Sequence, residues 1–247
     1  MKMHHSFGFL ILKSVGMVLF ASVMFLGCSK DAKNPVKPSS KEDTGTVTDI
    51  DGNIYRTVKI GNQWWMAENL KVTHYRTGEA IPLVTKLSEW KNLSTSAYCD
   101  YNNDANNVAI YGRLYNWYAA NDSRTIAPAG WHVTKNAEWD ELILSLGGTS
   151  VAGGKLKESG LAHWKSPNNG ATNEYGFSAL PGGWCGNDGV YGNLGINAIF
   201  WPSTESYFWP FTESYFAWCL THSFSSANQL KYTKQYGLSV RCVKDND

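Results

Sequence analysis

The sequence predicts an α+β domain in which short strands lead into two helices, a long irregular region and further short strands. Three observations carry this reading. β-branched residues alternate on both sides of Asp51-Gly52, which is a hairpin signal. Trp139, Leu142, Ile143 and Leu146 repeat at the i, i+3, i+4, i+7 spacing of an amphipathic helix. After Gly148 the chain is rich in Gly, Asn, Ser and aromatic residues, broken by brief strand-like runs.

In chain order, Thr46–Ile50 and Asn53–Ile60 are the arms of the hairpin, and Gly61-Asn62 turns the chain into a third strand within Gln63–Leu70. Asp100–Asn107 reads as a polar loop. Gly112–Ala120 reads as a helix with Leu114, Trp117 and Tyr118 on one face. Asn136–Leu146 is the second helix, stopped by Gly147-Gly148. Strands are expected at Ile196–Pro202, Tyr215–His222, Asn228–Thr233 and Leu238–Lys244. A loop section this long in a compact domain is either functional or disordered, and its many Trp residues argue for order.

The start of the chain has a different character. A basic opening (Lys2, His4, His5) precedes the apolar runs Phe7–Leu12 and Val15–Leu26, and the run closes on FLGC. Residues 1–27 therefore read as a lipoprotein signal peptide, with Cys28 as the lipidated residue. Ser29–Gly45 is rich in Lys, Ser, Pro and Asp and cannot bury a core, so residues 28–45 read as a lipidated flexible tether. The domain then spans residues 46–247. The expected location is the outer membrane, lipid-anchored and facing the cell exterior, with membrane contact through the anchor only. Removing residues 1–27 takes away Lys2 and Lys13 and no acids, which leaves 20 basic against 21 acidic residues. Nothing in that balance points to nucleic acid.

Cys99, Cys185, Cys219 and Cys242 remain in the domain, and an oxidising compartment allows three pairings of four cysteines. No CxxC or His/Cys metal spacing is present, so no metal or other cofactor is expected. Asp100, Asn102, Asp104 and Asn106 alternate like a calcium loop. Ala105 and Tyr111 stand where an EF-hand needs Gly and Glu, so a polar turn is favoured over a weak calcium site of another kind. Trp64, Trp65, Trp117, Trp131 and Trp139 read as core, and His132 as a structural hydrogen-bonding residue.

Seven stretches occur in a fixed order: TVTDIDGNIYRTVKIGNQWWMAENL, AYCDYNND, YGRLYNWYAA, PAGWHVTKNAEWDELILSLGG, AGGKLKESG, NEYGFSALPGG and GLSVRCV. Together they resemble the Fibrobacter succinogenes major paralogous domain over about residues 46–245. The resemblance implies a C-type-lectin-like fold with two helices, small antiparallel sheets and a long irregular loop region that displays a ligand face. Ala127 stands where that family usually has Cys, and Pro202 where it usually has Ser. Set against the family motifs, Cys99 and Cys242 are framework positions and Cys185 and Cys219 are not, which implies the pairs Cys185–Cys219 and Cys99–Cys242.

Between framework motifs, Gly182–Tyr236 is populated by Tyr, Phe, Ser, Asn, Asp, Thr, Leu, His, Cys, Ala and Ile, most of them one or two adenine changes from an Asn codon. That habit, ending at Gly237–Val243, is similar to the variable proteins of diversity-generating retroelements. The expected function is binding of an extracellular protein or glycan, without catalysis. The expected ligand residues are Trp184, Asn187, Asp188, Tyr191, Asn193, Asn197, Ile199, Tyr207, Phe208, Trp209, Phe211, Tyr215, His222, Phe224, Asn228, Lys231 and Tyr232. Trp209, inside the repeated TESYF…TESYF, is expected to be the most exposed. The alternatives are a polysaccharide-adhesion module without diversification and, further back, a relative of formylglycine-generating enzymes using Cys185 and Cys219.

Overall fold

The computed structural model describes residues 43–204 and 215–246. The N-terminal hairpin pairs β1 (Thr44–Thr48) with β2 (Ile54–Ile60), and β3 (Gln63–Met66) follows. Its turn is built by Asp49, whose buried carboxylate accepts from the backbone of Asp51 and Asn53, from the Asn53 amide and from the Tyr55 hydroxyl at 2.6 Å. Next come α1 (Leu87–Trp90), β4 (Tyr98–Cys99), α2 (Ala105–Tyr111), β5 (Leu114–Tyr115) and α3 (Trp117–Ala120). They are followed by β6 (Trp131–Val133), α4 (Asn136–Ser145), α5 (Thr149–Leu156), β7 (Gly182–Cys185) and β8 (Tyr191–Leu194). The last strands are β9 (Asn197–Phe200), β10 (Tyr215–Thr221), β11 (Ala227–Tyr232) and β12 (Cys242–Lys244).

The architecture is mixed α/β with several small antiparallel sheets. The five-stranded sheet has the order β1-β2-β3-β12-β6, so the last strand lies inside the sheet begun by the first. Val243 sits opposite Trp65 on one side and His132 on the other. A three-stranded sheet has the order β11-β10-β9, and β4-β5 and β7-β8 are two-stranded.

Two aromatic-rich clusters fill the space between these layers. In one, Trp65 meets Trp139 edge-on at 5.0 Å between ring centroids, and Trp139 stacks on Trp218 at 5.9 Å. Trp65, Trp117, Trp131 and Trp139 are buried as expected, while Trp64 is only partly covered. His132 holds Glu138 and Asp245, each at 2.6 Å, which ties α4 to the C-terminal segment and raises the pKa of the imidazole.

The irregular region is fixed by buried cations rather than by long ladders. The Arg241 guanidinium donates to the Asn69 side chain and to the carbonyls of Met66, Phe177 and Ser178, and it lies over the Phe177 ring. Lys157 is fully buried and donates to the carbonyls of Asn169, Thr221 and Phe224, each at 2.9 Å. Buried carbonyls outside secondary structure need such partners.

Two expectations change. Gly112–Ala120 is not one helix: Leu114 and Tyr115 pair with Cys99 and Tyr98, and only Trp117–Ala120 is helical. The pairing with β4 overrides the local periodicity. After the Gly147-Gly148 stop the chain re-enters a helix, α5, which contains Gly153 and Gly154. A Cβ at Gly153 would lie 2.1 Å from the Ser226 carbonyl oxygen, and one at Gly154 would lie 2.3 Å from that of Gly170. The two glycines serve close backbone approach, not helix termination.

Candidate functional site

Asn116 sets the position of the site. Its side-chain oxygen caps α3 by accepting from the Ala119 backbone at 3.1 Å, accepts from Ala97 at 3.0 Å, and its amide donates to the Thr95 carbonyl at 2.8 Å. This fixes Trp117 and Tyr118 at the start of a single helical turn. The Trp117 backbone N–H donates to the Lys234 carbonyl at 2.9 Å, which brings the segment after β11 against α3.

On that junction the rings form a strip. Trp117 packs on Tyr215 with centroids 4.4 Å apart. Tyr215 lies opposite Tyr232 in the β10–β11 register. Tyr232 meets Tyr236 at 4.9 Å, and Tyr236 meets Trp184 at 5.9 Å. Trp201 stands behind Tyr232 and donates its indole N–H to the Tyr236 carbonyl at 3.1 Å. Trp117 and Trp201 are buried, whereas Trp184, Tyr215, Tyr232 and Tyr236 are half-buried. The strip is thus seated on the core and open along its outer edge. Burial also raises the pKa of the Tyr232 phenol, so it stays a neutral hydrogen-bonding group. Tyr118 continues the strip into a cleft of about 410 Å³, whose walls include Tyr75, Ser96, Asp122 and Arg124. There Arg124 pairs with Asp122 at 2.7 Å and lies 3.8 Å over the Tyr75 ring. The hydrogen bonds from Arg124 hold the Asp122 carboxyl well below the usual carboxylate range.

Of the sequence-predicted ligand residues, Trp184, Tyr215 and Tyr232 meet in this strip. Asn187 and Asp188 are exposed in the β7–β8 turn, where Asp188 accepts from the Val190 backbone at 3.0 Å. Tyr191 packs on Tyr101 at 5.3 Å and donates its hydroxyl to Asn103 at 3.0 Å. Asn193 and Asn197 are half-buried near the β8–β9 turn, Asn193 with a positive φ of 61°. His222 is tied to the Ser166 carbonyl at 2.9 Å, and Phe224 stands 63% exposed beside the carbonyl that binds Lys157. Asn228 and Lys231 are exposed on β11, with Lys231 over the Phe216 ring. Tyr207, Phe208, Trp209 and Phe211 lie outside the described residues, as does Cys28.

Ile199 is a correction. It is fully buried, because β9 pairs Ile199 with Cys219 and lays it in the core, so it cannot contact a ligand. The expected disulfides are a second correction. All four cysteines are free and buried, and each expected pair is split between two core clusters. Cys99 instead shares a core cluster with Cys185, and burial raises its pKa well above the usual thiol range. Burial pushes the Cys219 thiol up to about 12. Asp100–Asn107 is not a loop throughout, since α2 starts at Ala105, and its acidic residues are spent on structure: Asp100 pairs with Arg113, and Asp104 caps α2. Sequence reasoning missed Tyr118, Lys234 and Tyr236 as site residues and placed Trp117 in the core alone. The run Lys231–Tyr236, with rings and cations alternating, was the signal available for the last two.

Fold and strip together define a mixed α/β domain that brings together aromatic side chains from α3, β7, β10, β11 and the segment before β12. The chain belongs to the Fibrobacter succinogenes major domain family, which it matches over residues 58–244. No curated protein and no solved structure matches it. Among the described residues no helix is long and apolar enough to cross a membrane.

Proposed function

We propose that this protein is a surface lipoprotein, anchored through Cys28, whose domain adopts a C-type-lectin-like arrangement and binds an extracellular protein or glycan through the aromatic strip. One observation carries the reading: Trp184, Tyr215, Tyr232 and Tyr236 are half-buried neighbours, although they come from β7, β10, β11 and the segment before β12. Large rings held rigidly on a core give contact area at low entropic cost, the chemistry of binding hot spots. The diversification reading fits a narrower set of positions than Gly182–Tyr236. Ala198, Ile199, Phe200, Trp201, Ala217, Trp218, Cys219 and Leu220 are all buried within that span, which leaves the turns, the start of β10 and the exposed residues of β11 free to vary. The enzyme reading loses its cysteine pair, since Cys185 and Cys219 lie in different clusters.

The test is a screen of the protein against immobilised glycans and extracellular proteins, repeated with Trp184→Ala and Tyr236→Ala. Binding should weaken by more than about tenfold in both, as at hot spots, with stability changed by no more than about 1 kcal/mol. Ligands that bind both variants as tightly as the parent would place the contact face elsewhere.

A further inference from the structure

The cleft beside Tyr118 is open space of about 410 Å³, inside the range of about 300–1,000 Å³ typical of small-molecule sites. Its reachable walls are of two kinds. Ala80, Pro82 and the Tyr118 ring are apolar, and Thr95, Ser96 and Arg124 are polar; all six are exposed or half-buried. Arg124 is held in place there. Its guanidinium lies 3.8 Å over the Tyr75 ring, and Nε and Nη2 donate to Asp122 at 2.9 and 2.7 Å. Asp122 also accepts from the Ser96 hydroxyl and from the Arg124 backbone, each at 3.0 Å, so its acceptor capacity is filled. The donor capacity of Arg124 is not. Its other side-chain N–H groups meet no acceptor among the described residues, and 41% of the side chain is exposed. Ser96 spends its proton on Asp122 and keeps its lone pairs. The Tyr75 hydroxyl, in the same wall, is buried without a hydrogen-bond partner among the described residues. The wall thus offers more hydrogen bonding than it uses.

We propose that this cleft binds one neutral hexose unit of a glycan, with Arg124 and Ser96 holding its hydroxyls and the Tyr118 ring lying against its C–H face. The proposal rests on the contact-face reading and deepens it, by choosing a glycan over a protein as the ligand. A pyranose carries hydroxyls that both donate and accept around a ring of apolar C–H groups. It meets the free donors of Arg124, the acceptor of Ser96 and the aromatic wall together. A wholly apolar group would take water from the Arg124 N–H groups and give nothing back. Charge selects a neutral sugar. Asp122 already compensates Arg124, while Lys234 lies 5.4 Å from the Tyr118 centroid and Glu79 acts on Arg124 through its charge. Two cations therefore balance two carboxylates, and an acidic sugar would add a charge with nothing left to pair it. The described residues hold no group of three His, Cys, Asp or Glu side chains able to bind a metal ion, so the hydroxyls are held by side chains directly.

The experiment titrates the full-chain protein with the methyl pyranosides of glucose, galactose and mannose, each alone, reading saturation-transfer NMR. Methyl glucuronoside is the anionic arm, and every titration is repeated in EDTA. At least one neutral glycoside should bind the parent with a Kd on the order of millimolar, as suits a single sugar. It should bind at least about threefold more weakly to Tyr118→Leu and at least about tenfold more weakly to Arg124→Met. Glucuronoside should bind more weakly than that glycoside, and EDTA should change nothing. Circular dichroism establishes that each variant is folded, and if Arg124→Met is not, the parent and Tyr118→Leu decide alone. Four results overturn the proposal: no neutral glycoside binds the parent, Tyr118→Leu binds as tightly as the parent, glucuronoside binds best, or EDTA abolishes binding. Trp184→Ala and Tyr236→Ala, at the far end of the strip, should keep the glycoside affinity of the parent. If these two lose a macromolecular ligand while no glycoside binds, the contact-face reading stands and the sugar site falls. If glycosides bind and no strip variant loses a macromolecular ligand, the cleft stands and the strip reading falls.

Discussion

Lys157 and Lys234 carry the same ammonium into two different surroundings. Lys157, after α5, is fully buried and bonded to three backbone carbonyls at 2.9 Å. Three directed bonds use all three of its N–H donors. Lys234 lies half-buried among three ring faces, 4.8 to 5.4 Å from their centroids. Carbonyls fixed at the corners of a buried pocket accept one geometry, and their loss leaves polar atoms stranded. Ring faces accept a range of cations, and their contacts survive exchange. The first environment fastens loops, and the second lies on the face proposed to meet a ligand.

The sharpest way to break this contrast is Lys157→Met. It should lower stability by about 3–5 kcal/mol, because a fully buried cation that bridges three carbonyls is lost, and among the described residues only the Thr221 carbonyl keeps another donor, the Phe224 N–H. Denaturant unfolding measures it, and a loss of no more than about 2 kcal/mol would make the two lysines equivalent. Next in size is Gly153→Ala. Helix propensity alone predicts a gain of up to about 1 kcal/mol, but the new Cβ meets a carbonyl oxygen, so a loss of about 1–3 kcal/mol is expected. The sign of the change in melting temperature decides between the two. Lys234→Met should then change stability by less, on the order of 1–2 kcal/mol, since Lys234 is only half-buried.

The smallest effect is one of pH. His132, between Glu138 and Asp245, has its pKa raised above the ordinary imidazole value of about 6.5, mainly by the Glu138 hydrogen bond. A raised folded-state pKa means that folding binds protons. This stabilisation is therefore complete below about pH 6.5 and is lost as pH climbs through the raised value. The difference in stability between the parent and His132→Gln should shrink by about 0.5 kcal/mol over that rise, since the cluster is partly exposed. A difference that stays level from pH 6 to pH 9 would remove His132 from the ionic account.

The framework was more legible in the sequence than the site. The Asp51-Gly52 hairpin and the helix from Asn136 are local patterns, and both stand where the residues put them. What escaped depends on distant partners. Leu114 and Tyr115 look helical until β4 is beside them, and α5 was not expected after Gly147-Gly148, since its Gly153 and Gly154 are explained only by the Ser226 and Gly170 carbonyls that press on the helix. Trp184, Tyr215 and Tyr232 were readable as aromatic contacts. Ile199 was misread because composition does not tell the inner face of β9 from the outer. Tyr118 and Trp117 belong to a motif that reads as core, and only the return of the chain at Lys234 turns them into walls of a site.

The three carbonyls on Lys157 come from positions 12, 64 and 67 residues further along the chain. Closing such distant segments on one buried ammonium requires most of the domain to be in place, so these bonds belong late in folding. An interaction missing from the folding transition state acts on the exit barrier. Lys157→Met should hasten unfolding while leaving the folding rate nearly unchanged. The clamp thereby sets how long each molecule stays folded, a property of direct value to the surface-exposed lipoprotein proposed above.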